Sequence, residues 1–475
     1  MYNTEIIMLT FIALSRLILC CYAVTEEQHV YPRILDERST SGNLVLKLTE
    51  KITLNLERST ILADNLLFVT TSKDLHEVET IDTSHIQKTI FHDTHYQSSV
   101  SVRQSDDTVE VEGIINDNLR IRPLPQGERS TDGQMLHAIF EVPTVKENIT
   151  EARQDILHLG MSDRDDINGY REDLSSPQAR ASGVDKFPVE LHIISDKEHQ
   201  RSYKKNEELI SYLAVMMNAV SLRYLDMMNP KITFLLVGVT RAKDHDFGRN
   251  NGGEIEAAEM LRGLGQYRRE GRIPGNFDVV YLLTGLDMIR FSKGKKIKGI
   301  AGRAKMSTAC TERSLGEGED TPHAYSGVNT LAHELAHTLG SDHDETPECP
   351  WEEGYLMSYV DGGLRKYKLS RCSQNSIRQY VGKLSDSCIR VLNGRNYMKD
   401  HRKFPGQTIR KLYYCRRLMR NRSKGQKIVV QKAADCDIKC CRLAESYMSC
   451  LTHKMLDGMA CGSGKTCRRG VCGYH

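Results

Sequence analysis

Between Cys21 and Cys310 the chain has no cysteine at all. This excludes disulfides, thiolate metal ligands and cysteine nucleophiles from residues 22–309. Long apolar runs are also missing: past residue 23 nothing approaches the roughly eighteen apolar residues of a membrane span. The one extended apolar stretch, residues 6–23, is broken by Ser15 and Arg16 and followed by Thr25, Glu26 and Glu27. It reads as a secretory signal ending at Ala23, although its start has no Lys or Arg. No Arg-Gly-Asp occurs, so integrin binding has no motif to rest on. The twelve cysteines from Cys310 to Cys472 are an even set behind a signal and lack the paired CxxC spacing of zinc fingers, so they read as disulfides.

At 475 residues, with 39% apolar content, the chain can build several cores. Residues 24–183 carry alternating stretches, among them Leu44-Val45-Leu46 and Val109-Glu110-Val111, with the period of half-buried strands. The polar, acidic stretch over residues 147–185 that follows, with the Asn148 glycosylation sequon, reads as a cleavable linker. The whole is expected to be a β-rich pro-domain. A second sequon sits at Asn421. Residues 184–391 alternate between the two periods. Strands are expected over residues 189–194, 232–239 and 279–284, helices over 206–227 and 254–267, a short edge strand over 299–302, and a final helix over 326–339. That order predicts an α/β domain, a mixed and mostly parallel sheet covered by helices. Residues 392–475 form a small cysteine-rich domain.

The last of these helices carries His333-Glu334-Leu335-Ala336-His337, then Gly340 and His343. Two His four apart lie about 40° apart on one helical face, one turn above the other. They can hold one zinc, with Glu334 in reach of a water on the same ion. His343 would be carried about 9 Å farther along a continuing helix, out of reach. Gly340 can take the left-handed conformation that ends a helix and turns the chain back. Three His ligands leave a fourth position open, the arrangement of a catalytic site. Met357 follows within Tyr355-Leu356-Met357-Ser358-Tyr359 and can form the floor beneath the metal.

These residues resemble the adamalysin (reprolysin) branch of the metzincins, marked by Asp344 directly after His343, and by Glu190, Asp278, Cys372-Ser373 and Tyr380. The resemblance is strong over residues 187–391 and looser on either side. The tail is similar to the cysteine-rich region of thrombospondin-repeat ADAM proteases, and the compact layout to secreted salivary metalloproteases of ticks. The resemblance implies a secreted zinc endopeptidase made as a zymogen. His333, His337 and His343 would hold Zn²⁺, and Glu334 would serve as general base and then acid. Gly299, Ile300 and Ala301 would pair with an extended substrate. It also implies disulfides Cys310–Cys388 and Cys349–Cys372, and a Ca²⁺ held by Glu190, Asp278 and the carbonyl of Cys388. The Asn of that Ca²⁺ site is displaced, because Val391 stands in its place and Asn393 lies two residues on. Tyr359 stands where the branch commonly has Pro, and the Met-x-Tyr order is similar to astacins, where the phenol stabilises the oxyanion. That role, and simple packing beside the pocket, are both open. A pro-domain thiolate latch is impossible, because no cysteine lies between Cys21 and Cys310.

Charge is unevenly distributed. Residues 389–475 hold 20 Lys and Arg against 5 Asp and Glu, while the whole chain is only +3. Such a tail suits heparin-like glycans, anionic surfaces or acidic substrates as well as a plain solvated face. Nucleic acid does not fit a secreted chain. Extracellular proteins, with fibrinogen, fibrin or matrix proteins in view, are the expected substrates. The alternative is a non-catalytic secreted protein that binds through its basic tail.

Overall fold

The computed structural model describes residues 27–37, 42–72, 75–105, 108–142, 184–275, 277–389, 410–419, 427–432, 435–443, 448–468 and 470–474. The expected signal, the linker with Asn148, the position of Asn393 and the sequon at Asn421 lie outside them.

Alternation in the N-terminal region produces a nine-stranded antiparallel sheet, from Gln28–Val30 at one edge to Arg33–Glu37 at the other. Thr108–Ile114 and Ser98–Ser105 pair at its centre over a small core that includes Leu46, Leu54, Val111 and Ile121. Two N-terminal strands leave this sheet. Strand β1 (Leu62–Ser72) and strand β2 (Leu75–Asp82) join instead the sheet built by the following region.

That second sheet contains β3 (Lys186–Ser195), β4 (Lys231–Ala242), β5 (Val279–Thr284), β6 (Gly302–Ala304) and β7 (Leu315–Glu319). Its seven strands run in the order β6-β7-β5-β3-β4-β1-β2. The pairs β7–β5, β5–β3, β3–β4 and β4–β1 are parallel. The outermost pairs, β6–β7 and β1–β2, are antiparallel. Helix α1 (Asn206–Leu222) and helix α3 (Val328–Thr338) pack on one face, over Val189, Leu191, Tyr281 and Leu283. Helix α2 (Ala257–Arg269) covers the other with Leu261 and Leu264 against Val280 and Leu282. Strands between two helical layers are apolar on both faces, which is why β5 reads Val-Val-Tyr-Leu-Leu-Thr and is buried throughout.

Two of the expected helices shift a boundary by three residues or more. The helix expected from residue 254 starts at Ala257, because Glu256 stays extended and its carboxylate accepts the N–H groups of Ala258 and Glu259 as an N-cap. Glu254–Glu256 is a short strand beside Asp287–Ser292. The helix expected to reach residue 227 stops at Leu222, where the N–H groups of Arg223 and Tyr224 bond three residues back, to Val220 and Ser221, in tighter turns.

The C-terminal region is a three-stranded sheet, Lys427–Lys432, Asp437–Leu443 and Met448–Lys454, plus the hairpin Thr466–Arg468 and Val471–Gly473. Four disulfides hold it: Cys415–Cys440, Cys436–Cys467, Cys441–Cys450 and Cys461–Cys472. Its core reaches Val45 and Leu35 of the N-terminal sheet. Among the described residues no helix is long and apolar enough to cross a membrane.

Candidate metal centre and catalytic cleft

Helix α3 is fixed at both ends. At its start, the N–H of Gly327 donates to Asp320 Oδ1 (2.9 Å). The other oxygen of Asp320 is held by His199 Nε2 at 2.9 Å and the Tyr212 hydroxyl at 2.6 Å, and Ser195 Oγ lies 2.6 Å from His199 Nδ1. This Ser-His-Asp alignment is no nucleophile, since Ser195 and His199 are 0% exposed and Asp320 2%. It ties the helix start to β3. Sequence reasoning missed it because its members are far apart in the chain and no spacing marks them.

At its end, Gly340 adopts φ +96° and the N–H of Ser341 returns to Ala336 O. The reversal brings His343 Nε2 to 3.1 Å from His333 Nε2 and 3.2 Å from His337 Nε2. Asp344 then anchors the segment. Its N–H donates to Met357 O, and its Oδ1 accepts the hydroxyls of Ser370 (2.5 Å) and Ser373 (3.1 Å) at the start of helix α4 (Arg371–Val381). Cys349–Cys372 staples the same place, and Cys310–Cys388 joins the loop before β7 to the C-terminal end of the domain. Met357 is fully buried, next to Leu356, whose carbonyl faces His333.

The outer ring nitrogens define the inner ones. His333 Nδ1 donates to Leu356 O (2.9 Å) and His337 Nδ1 to Ser341 O (2.8 Å), so each turns a bare Nε2 inward. Burial first, and the neighbouring imidazoles second, push all three histidines down to about 3, so they are neutral at physiological pH. Lone pairs this close repel unless a cation lies between them. Tetrahedral zinc with Zn–N of about 2.0–2.1 Å sets its nitrogens about 3.3 Å apart, close to the observed spacing. The donor set therefore fits Zn²⁺.

Glu334, 6% exposed, lies between the two helical histidines, and burial raises it to about 8, opposed by Arg303. A dication in the centre would favour its carboxylate form. Strand β6 passes close above it: a Cβ on Gly302 would stand 3.0 Å from Glu334 Cγ and 2.5 Å from Thr330 Cγ2. One side of β6 pairs with β7, and its other side is an edge of the sheet.

Of the expected substrate-pairing residues, Ala301 accepts the N–H of Glu319 and leads into β6. Gly299 and Ile300 precede the strand. Gly299 has φ +83°, incompatible with extended pairing, and Ile300 packs toward the α2 side of the core. The edge thus lies over residues 302–304 rather than 299–302. Tyr359 is turned to His343: its hydroxyl is 2.8 Å from His343 Nδ1 and 2.5 Å from Glu345 Oε1. Glu190 and Asp278 are adjacent and buried, the N–H of Glu190 donating to Asp278 Oδ2 (2.7 Å). Burial raises Asp278 to about 7, opposed by the Glu190 N–H it accepts and helped, more weakly, by the Glu190 carboxylate. The metal-sized grouping formed here joins Asp278 to Cys310 and Cys388, whose sulfurs are oxidised, and does not include Glu190.

Residues 186–392 match the Reprolysin (M12B) family of zinc metalloproteases. The chain is 26% identical over 339 residues to the venom metalloproteinase antarease-like TtrivMP_A of Tityus trivittatus, covering 66% of this chain and 82% of that one. It is also 26% identical over 319 residues to a Bombyx mori protein named "A disintegrin and metalloproteinase with thrombospondin motifs like", covering 60% of this chain and 44% of that one. Metalloproteinase-II from Bacteroides fragilis aligns in structure at 13% identity over 78% of this chain and 95% of that one, with a TM-score of 0.35, too low to carry a fold argument.

Proposed function

Through residues 186–392 the chain is a reprolysin-type metzincin, a zinc metalloendopeptidase, and from that premise we propose that it is a secreted enzyme, made as a precursor, that cleaves extracellular proteins at internal bonds. The observation that carries the reading is the convergence of three Nε2 atoms, those of His333 and His337 lying 3.1 and 3.2 Å from that of His343, beside a buried carboxylate under a sheet edge. Venom metalloproteinases among the relatives support secretion.

His333, His337 and His343 would hold the ion. Zn²⁺ there supplies Lewis-acid polarisation of the scissile carbonyl. An extended peptide lying along the free edge of β6 hydrogen-bonds to its backbone, which draws the scissile bond across Glu334. Glu334 takes a proton from the attacking water and delivers it to the leaving amine nitrogen, so one carboxylate acts as base and then acid. Burial excludes competing water and strengthens each of these interactions. Glu190, Asp278 and the Cys388 carbonyl remain the place for a structural Ca²⁺, and the basic tail the place for an anionic surface.

The test is hydrolysis of a quenched-fluorescence peptide library and of denatured fibrinogen by the purified chain. 1,10-Phenanthroline should abolish cleavage and one equivalent of Zn²⁺ restore it. Zinc-loaded protein with no cleavage of either substrate, before and after limited proteolysis within residues 143–183, would reject the reading.

A further inference from the structure

The three histidines are not held alike. His333 and His337 lean on main-chain carbonyls, whereas His343 leans on a side chain, the Tyr359 hydroxyl at 2.8 Å. That hydroxyl is also 2.5 Å from Glu345 Oε1. A phenol has one proton. A carboxylate oxygen can only accept, so the proton goes to Glu345 and the phenol oxygen accepts from His343 Nδ1–H. His343 is thereby fixed in the tautomer whose Nε2 is bare and faces the other two. The phenol ring lies beside the imidazole, tilted 51° to it with centroids 4.8 Å apart, which limits its freedom to turn elsewhere.

We propose that Tyr359 and Glu345 form a positioning relay, Glu345 carboxylate to Tyr359 hydroxyl to His343 imidazole, that sets the affinity of the third histidine for the metal. The inference rests on the zinc-peptidase reading and deepens it. It assigns Tyr359 neither to the oxyanion, for which its proton is unavailable in this arrangement, nor to packing alone. It also brings in Glu345, a residue no motif had marked. A charged acceptor behind the phenol makes its oxygen a better acceptor and His343 a more basic ligand. Because Glu345 is exposed, the relay links the metal centre to solvent.

Two variants of the full chain test this, Tyr359→Phe and Glu345→Gln. The readouts are the zinc dissociation constant by competition with a chromophoric chelator, the melting temperature of metal-free protein, and kcat at full zinc occupancy. The relay predicts zinc binding about 10–100-fold weaker in both, the usual cost of losing such an outer partner, with the metal-free melting temperature unchanged and kcat within about threefold. An undiminished affinity with kcat about 100-fold lower in Tyr359→Phe would overturn it in favour of an oxyanion donor. No change in either quantity would overturn it in favour of packing. If Tyr359→Phe also melts lower without metal, Glu345→Gln decides, since it leaves the ring in place, and unaltered affinity there refutes the relay. Failure of the underlying reading looks different: the parent chain itself would bind no zinc. The relay is then still read from the ¹⁵N shifts of His343 in metal-free protein, where an Nε2–H tautomer would refute it.

Discussion

Glu334 is the side chain on which turnover depends most directly, and its surroundings say how. It is buried beside the trihistidine cluster, with Gly302 of β6 almost in contact. Replacing it with Gln keeps the shape and removes the proton carrier. Glu334→Gln should retain one equivalent of zinc by elemental analysis while peptide hydrolysis falls at least ~10³-fold. Gly302 is the complementary case. A methyl there meets Thr330 Cγ2 at 2.5 Å and Glu334 Cγ at 3.0 Å, so either β6 or the base must shift. Gly302→Ala should lower kcat/KM by roughly 10- to 100-fold, the scale of a misplacement near 1 Å. Adding Thr330→Ser, which deletes the nearer methyl, should recover part of the loss in the same peptide assay. Unchanged kinetics in Gly302→Ala would mean that β6 does not set the position of Glu334.

At the scale of elements, the zinc helix was legible because its chemistry is local. His333, Glu334 and His337 fall on one helical face by spacing alone, and Gly340 marks the turn. Its φ of +96° is the conformation that reading required. What spacing does not carry is the outer support. Asp320, His199 and Tyr212 converge on the helix start from distant segments, and Glu345 reaches Tyr359 across a loop. The short, glycine-flanked run over residues 299–302 suits an edge strand, but glycine also permits φ +83°, which Gly299 adopts. The turn itself is testable. In Gly340→Ala the new Cβ would lie 2.6 Å from Tyr380 Cβ in a left-handed backbone. The expected cost is about 1–3 kcal/mol, read as a lower melting temperature of metal-free protein, with weaker zinc binding because His343 moves with the turn. A variant as stable and as zinc-avid as the parent would show that the turn tolerates a side chain.

At the scale of the whole molecule, the boundary at residue 183 divides the sequence more cleanly than it divides the fold. The hydrophobic period changes there from strand alternation to alternating strands and helices, behind a polar, acidic stretch, so a separate β-rich pro-domain ending in a linker is what the sequence suggests. Strand β1 is nevertheless an inner strand of the second sheet, between β4 and β2, with Leu236 paired to Leu62 and Val239 to Phe68. Ile61, Leu62, Leu66, Phe68, Ile86, Ile90 and Ile114 belong to the same apolar cluster as α1 and α3. Polar ties add to this: Ser99 Oγ donates to Val215 O (2.7 Å), Asn218 Nδ2 to Phe91 O (3.1 Å), and Thr71 Oγ1 lies 2.7 Å from the Tyr267 hydroxyl. No alternation within residues 62–72 could announce a partner more than 150 residues away.

The consequence concerns maturation. The N-terminal residues occupy the end of the sheet opposite β6, so they complete the catalytic unit from the far side of the cleft. Removing them would bare the edge of β4 and the apolar side of α1, surfaces that favour aggregation. Cutting the connection between residues 143 and 183, at an introduced site-specific protease sequence, should therefore leave the two fragments together. They are expected to co-elute in size-exclusion chromatography as one particle and to part only in denaturant. A chain starting at residue 184 should be insoluble alone and recovered in soluble form when residues 27–142 are co-expressed. If the cut fragments separate in buffer and the C-terminal one stays folded and monomeric, the shared sheet is dispensable, and the N-terminal region is a removable pro-domain in the ordinary sense.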